Sequence, residues 1–372
     1  MVRNNGVTKE DLETGVSFDD VLVVPQHSKL DSRSDVSLKS NIVGDLYADS
    51  PIISAPMDTV TSVDVGRVLD EHGGSVVFDR YESPTDQAEK VSKLDEQANL
   101  PIGAALGVTE DMDHRVNSAV DAGVDYMVLT VAHADTQAVV ERVKEYKNKF
   151  ETPIVVGNVV TADAAVRLAE AGADCIKVGI GPGSFCTTRT VTGVGYPQIT
   201  AISNVSVALD QWESVNNTRP TIIADGGIKQ SGDAVKALAA GADSVMMGGF
   251  FTGTEEAPGE VIENDGKKYK IGRGMASKSA NLERSDKSQE EIERIASEGE
   301  EMLIEYEGPL EDKLIPFVYG IRNGVSYVGG TTIDDLHEKS KFVSVTSATK
   351  SRNAAHKGVN ESNQSIPDSV LK

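Results

Sequence analysis

Cys186 stands in a loop whose composition suits a nucleophile. The run Gly181-Pro182-Gly183-Ser184-Phe185-Cys186-Thr187-Thr188-Arg189 follows a short apolar, β-prone stretch beginning at Cys175, and a second glycine-rich turn, Thr192-Gly193-Val194-Gly195, comes after it. Glycine and proline in such density end a strand, so the cysteine is placed on a loop at a strand's C-terminal end. A thiol attacks as its thiolate, and backbone N–H groups, neighbouring hydroxyls and a cation such as Arg189 all favour that form. Cys175 lies inside the apolar stretch and reads as a small core residue. Two further runs, Asp225-Gly226-Gly227 and Gly248-Gly249, also follow apolar stretches. Bare glycines there let backbone N–H groups approach an anion such as a phosphate, although the same pairs also serve as plain turns. The Asp225 carboxylate can cap a helix or accept hydrogen bonds from sugar hydroxyls. No histidine cluster or Cys-x-x-Cys pair is present, which argues against a transition metal and leaves room for a monovalent cation among loop carbonyls.

These residues need a common frame, and the chain's periodicity supplies one. Apolar, strand-like runs begin near Pro51, Gly74, Ile102, Tyr126, Pro153, Cys175, Thr221 and Ser244, with helical patterns between most of them. Thr161 and Ser231 are expected helix starts, and Gly123, Gly172 and Gly241 expected stops. The phrases DAGVDYMVL, EAGADCIKV and AAGADSVMM look like one helix-to-strand turn used repeatedly. Apolar strands separated by helices imply a parallel sheet buried on both faces, and eight such units fit a closed (β/α)₈ TIM barrel, in the α/β class, better than an open doubly wound sheet. Its C-terminal rim then gathers Ser54 to Asp58, Gly157-Asn158, the cysteine loop, Asp225 to Gly227 and Gly248-Gly249. Residues 1–350 read as one barrel domain and 351–372 as a polar tail. After the eighth strand a hairpin is expected near residues 260–271, then a charged, solvated flap near 277–300, then a closing helix around residues 333–341.

The totals bound the partners. Of 372 residues, 58 are acidic and 36 basic, leaving a net charge of −22 that repels nucleic acid. The N-terminal sequence lacks the apolar core of a signal peptide, and no run is long enough to span a membrane. Two cysteines, one inside a strand, fit a reducing compartment, so a cytoplasmic protein is expected.

Together, GIGPGSFCTTRTVTGVGYPQITAI, SAPMDTVTS, GNVVTADAA, IADGGIKQSGD and GTEEAPGE resemble the IMP dehydrogenase and GMP reductase family from about Gly15 to Val345. The resemblance implies a TIM barrel, a homotetramer, and a purine nucleotide monophosphate held covalently at C2 by Cys186. By the same match Ser184, Asp225, Gly226, Gly227, Gly248 and Gly249 would hold the ribose phosphate. Met57, Asn158, Gly274 and Met275 would complete the substrate site, and Thr130 and Ala132 would meet a nicotinamide cofactor. Carbonyls of Gly181, Gly183 and Cys186 match the family's potassium loop.

The branch within the family is less direct. No CBS module fits between Asp79 and Ile102, and Tyr follows neither Arg284 nor Arg294, so the dehydrogenase's flap Arg-Tyr pair is missing. Ala296-Ser297-Glu298-Gly299 resembles the reductase's flap carboxylate, with Thr188 as its partner, and LDSRSDV from residue 30 resembles the same branch. SAPMDTVT and GTEEAPGE are closer to the dehydrogenase. The reductase's His-Lys-His-Tyr is Phe78-Asp79-Arg80-Tyr81, the family's cofactor-facing Asp is Thr130, and the dehydrogenase's phosphate-binding Tyr is Gly272. The expected activity is reduction of GMP to IMP and ammonia with NADPH. The alternatives are oxidation of IMP to XMP with NAD, or a nucleotide-binding regulator that has lost turnover.

Overall fold

Each of the eight apolar runs forms a strand: β1 Ile52–Ser54, β2 Ser75–Phe78, β3 Ile102–Leu106, β4 Tyr126–Thr130, β5 Ile154–Val159, β6 Cys175–Val178, β7 Thr221–Asp225 and β8 Ser244–Met247. The structure, a computed structural model, describes residues 13–109, 111–282, 297–346 and 349. Consecutive strands pair in parallel, and β8 pairs with β1, so the sheet closes on itself in chain order. Closure excludes the doubly wound alternative. Inside the barrel, Gly103 leaves room for Tyr126, whose ring would lie 2.6 Å from a Cβ there. The buried Tyr126 hydroxyl lies 2.8 Å from Ser75 Oγ and donates to the Val76 carbonyl at 3.2 Å.

The repeated helix-to-strand phrase has one mechanical meaning. Gly123, Gly172 and Gly241 adopt φ of +94°, +102° and +108°, which glycine tolerates and other residues rarely do. Two residues later Asp125, Asp174 and Asp243 each accept a backbone N–H from the start of the preceding strand, from Ile102 at 2.7 Å, Ile154 at 2.8 Å and Ile222 at 2.7 Å. These carboxylates fasten neighbouring strands at the N-terminal end of the barrel. Ser62, Ser83, Thr136 and Thr161 cap the helices that begin after them. Ser231, expected to cap, is instead the first helical residue; Gln230 holds the cap position, its N–H donating to Asp233 Oδ2 at 3.2 Å.

Three expectations about the second half need correction. A helix over Leu310–Tyr327 precedes the expected one at Ile333–Lys339, and it packs against helices Ser231–Ala239 and Val63–Glu71. The hairpin forms from Ile262–Asn264 and Lys267–Arg273 around Asp265 and Gly266, but Glu301–Glu305 joins it as a third strand. The start of the expected solvated flap is packed: Lys278–Leu282 is helical, with Ala280 and Asn281 buried. Residues 283–296 and the tail 351–372 lie outside the described residues. Val21–Val23 pairs with Phe342–Ser344, joining distant parts of the chain. Among the described residues no helix is long and apolar enough to cross a membrane.

Candidate active site

The strand ends of the barrel rim open into one cavity of about 580 Å³. The expected catalytic, substrate, cofactor and potassium residues all line it: Met57 after β1, Thr130 and Ala132 at β4, Asn158 in β5, Gly181, Gly183, Ser184, Cys186 and Thr188 after β6, Asp225, Gly226 and Gly227 at β7, Gly248 and Gly249 after β8, and Gly274, Met275 and Glu298 from the later insertion; Arg189 stands behind the cysteine loop, outside the lining.

The cysteine loop is braced from two sides. Cys186 N–H donates to the Gly183 carbonyl at 3.1 Å, and Arg189 spans the loop by donating to the Ile180 carbonyl at 3.1 Å and the Tyr196 carbonyl at 2.6 Å. Partial burial lowers the Arg189 pKa, and the nearby Cys186 opposes that shift. On the other side the insertion docks as a short antiparallel bridge. Thr187 N–H donates to the Glu298 carbonyl at 2.9 Å and Glu300 N–H to the Phe185 carbonyl at 3.0 Å.

That bridge delivers a carboxylate to the thiol. Cys186 Sγ lies 3.1 Å from Thr188 Oγ1, and Thr188 Oγ1 donates to Glu298 Oε2 at 2.8 Å. A hydroxyl has one proton, so Thr188 gives it to Glu298 and receives the Cys186 S–H as an acceptor. The order thiol, hydroxyl, carboxylate is a path along which a proton can leave or return to the sulfur.

Across the loop the glycine-rich strand ends converge. Gly226 and Gly227 adopt φ of +90° and +80°, and a Cβ on either would press on the Pro182-Gly183 turn at 3.0 to 3.2 Å. A Cβ on Gly249 would sit 3.4 Å from Ser184 Oγ, and one on Gly248 would sit 2.9 Å from Met57 Sδ. The missing side chains thus keep backbone and the Ser184 hydroxyl open to a ligand. Beside them Lys177 is only 2 % exposed, with its ammonium 2.6 Å from Asp225 Oδ2 and also bonded to Asn158 Oδ1. Asn158 Nδ2 completes the triangle by donating to Asp225 Oδ2 at 2.9 Å and to the Gly179 carbonyl at 2.6 Å. One oxygen of Asp225 is therefore held by two donors.

These features match a known group of proteins. The sequence fits the IMP dehydrogenase / GMP reductase domain over residues 15–356. The chain belongs to that family. A Borreliella burgdorferi protein named inosine-5'-monophosphate dehydrogenase is 36 % identical, the match covering 95 % of this chain and 98 % of the relative. A Cryptosporidium parvum protein of the same name is 37 % identical over 90 % of this chain and 93 % of its own length. One from Aquifex aeolicus reaches 48 %, but over 68 % of this chain and 51 % of its own. Among solved structures, a GMP reductase from Trypanosoma brucei in complex with guanosine 5'-monophosphate superposes with a TM-score of 0.85 at 26 % identity, covering 93 % of this chain and 98 % of that one. The relatives named here are oxidoreductases acting on purine nucleotides.

Within this family setting, three cavity residues escaped the sequence reading. Lys177 sits in an apolar strand, where one lysine looks like an interruption; its inward position between Ile176 and Val178 is the only signal it gave. Asn281 sits in a charged stretch that conceals it, and Arg80 stands in Phe78-Asp79-Arg80-Tyr81, where the resemblance to the family breaks. Gly272, which lacks the dehydrogenase tyrosine, packs directly on Phe185: a Cβ there would lie 2.6 Å from the Phe185 ring. Elsewhere one histidine stands near two glutamates. Glu71, His72 and Glu311 bring ligand atoms within 4.8 Å of one another, outside the cavity and with both glutamates exposed.

Proposed function

We propose that this chain is a GMP reductase, converting GMP to IMP and ammonia with NADPH. The observation that supports this most is the path from Cys186 through Thr188 to Glu298. Cys186, deprotonated through Thr188, forms a bond from sulfur to purine C2. Protonated Glu298 then returns the proton through Thr188 to the exocyclic amine, the C2–N bond breaks, and ammonia leaves. NADPH, held beside Thr130 and Ala132, would supply the hydride that takes the amine's place at C2. Cys186 is finally expelled as thiolate, Arg189 favouring that charge. The Gly226, Gly227, Gly248 and Gly249 backbone and the Ser184 hydroxyl hold the phosphate, and Asp225, fixed by Lys177 and Asn158, takes the ribose hydroxyls. Met57, Gly274 and Met275 flank the base.

The neutral wall formed by Val108, Thr109, Thr130, Val131 and Ala132 fits an uncharged planar ring with hydroxyl contacts, as a nicotinamide requires. Potassium would rest on the carbonyls of Gly181, Gly183 and Cys186. The Gly183 carbonyl already accepts the Cys186 N–H, which leaves it one lone pair for a cation. A cytoplasmic homotetramer completes the proposal.

A second reading, oxidation of IMP to XMP with NAD, is favoured by one observation. The Borreliella burgdorferi and Cryptosporidium parvum relatives carry the dehydrogenase name at nearly this chain's full span. Lack of a CBS module therefore does not separate the branches. Incubation with GMP and NADPH, followed by assay of ammonia and IMP, tests the proposal. Stoichiometric release of both supports it, whereas no consumption of GMP contradicts it. Glu298→Gln should slow this reaction by about 10²- to 10⁴-fold while GMP affinity stays within about tenfold.

A further inference from the structure

The cavity has a second cationic feature, remote from the glycine-rich strand ends. In an eight-strand barrel closed in chain order, β6, β7 and β8 face β2, β3 and β4, so the ends of β2, β3 and β4 form the wall opposite the cysteine loop and the glycine-rich strand ends. Its lining residues are Arg80, Tyr81, Val108, Thr109, Thr130, Val131 and Ala132. Only Arg80 is charged. Its guanidinium lies 5.6 Å from the Tyr81 ring centre, and among the described residues no ion pair holds it.

An unpaired arginine is unexpected in a chain with 58 acids and 36 bases. The adjacent carboxylate, Asp79, does not serve it. Asp79 is 3 % exposed, its Oδ1 accepts the Tyr81 N–H at 2.9 Å, and the charges acting on it are Glu82, Lys90 and Asp58. The backbone beneath Arg80 is fixed as well. Arg115, itself 4 % exposed, donates to the Arg80 carbonyl at 3.2 Å, to the Glu82 carbonyl at 3.1 Å and to Gln87 Oε1 at 3.1 Å. Tyr81, whose hydroxyl donates to the Met275 carbonyl, holds the ring on which Arg80 rests. The result is a pre-positioned guanidinium facing a carboxylate-free wall, which suits bidentate recognition of phosphate oxygens.

The nucleotide's own phosphate has its cradle on the opposite side. We infer that Arg80 is the cofactor's anion anchor, binding the pyrophosphate of the nicotinamide dinucleotide as it lies along the far wall. This rests on the oxidoreductase reading given above. Neither Thr130 nor Ala132 carries charge, so among the described residues Arg80 is the one side chain of that wall able to offset the pyrophosphate.

Calorimetric titration of the full chain, saturated with GMP, against ADP-ribose isolates the pyrophosphate from the nicotinamide and needs no turnover. Wild-type protein should bind ADP-ribose and bind adenosine far more weakly. Arg80→Gln should weaken ADP-ribose binding by roughly tenfold to a hundredfold and leave GMP affinity unchanged; Arg80→Lys should recover part of the loss. Raising salt should weaken ADP-ribose binding less in Arg80→Gln than in the wild type. Unchanged ADP-ribose binding in Arg80→Gln overturns the assignment while the oxidoreductase reading stands. A loss confined to GMP means that Arg80 serves the nucleotide. Failure of wild-type protein to bind either ADP-ribose or NADPH overturns the oxidoreductase reading itself.

Discussion

Cys186 and Cys175 have the same side chain and opposite chemistry because of their surroundings. Cys186 is half-buried on the rim beside Thr188 and Arg189, whereas Cys175 is wholly enclosed and burial drives its thiol far above the ordinary range. Iodoacetamide should therefore label Cys186 in native protein, more slowly with GMP present, and reach Cys175 only after unfolding; native labelling of Cys175 detected by mass spectrometry would contradict this. Asp79 makes a different point. Burial raises its pKa by more than the Tyr81 N–H lowers it. An acid raised in the folded state stabilises the fold below its unfolded pKa of about 3.9, and that contribution is lost as pH rises through the folded pKa. Asp79→Asn should thus raise the Tm at pH 7 by roughly 2 °C or more and give little gain below about pH 4. A gain of equal size at both pH values would mean that charge burial is not its cause. The chemistry of Cys186 was readable because glycines, hydroxyls and a cation lie beside it in sequence. Lys177 was not, because its partners Asn158 and Asp225 come from two other strands.

The barrel strands were readable for a local reason: a parallel sheet buried on both faces needs uninterrupted apolar runs, and glycines 123, 172 and 241 mark turns that require positive φ. The helix Leu310–Tyr327 was missed because Pro316 lies within it and Ile315, Tyr319 and Tyr327 are exposed, which blurs its period. The strand Glu301–Glu305 was missed because its exposure alternates between exposed and half-buried, so acidic ends conceal a short apolar centre. That strand matters for function. It pairs with Lys267–Arg273, and the segment leading into it carries Glu298 to the cysteine loop. Phe185 and Gly272 form the packed joint between the two elements. Gly272→Val should force the Phe185 ring aside, lower kcat by at least tenfold and cost about 1–3 kcal/mol of stability. Phe185→Leu added to it should restore part of the rate. Wild-type kcat in Gly272→Val would show that the joint does not position Cys186.

Taken together, the barrel sets the glycine-rich strand ends and the wall that carries Arg80 on opposite sides of one cavity, and the insertion after β8 brings the Glu298 carboxylate to the cysteine loop. The fold fixes this layout without fixing the direction of the reaction, since the same family includes proteins named for either one. What distinguishes the directions is the group that leaves. Expulsion of ammonia needs a proton, which protonated Glu298 can deliver through Thr188, whereas discharge of a thioimidate to water needs a base, a role the same pair fills only while Glu298 is ionised. The expected dehydrogenase pair is absent from the sequence after Arg284 and Arg294. The most direct test is the time course of NADH formation by wild-type protein given IMP and NAD. The expected result is a burst of at most about one NADH per site followed by a slow steady state. Sustained XMP production at a rate on the order of 1 s⁻¹ or more would contradict the reductase assignment.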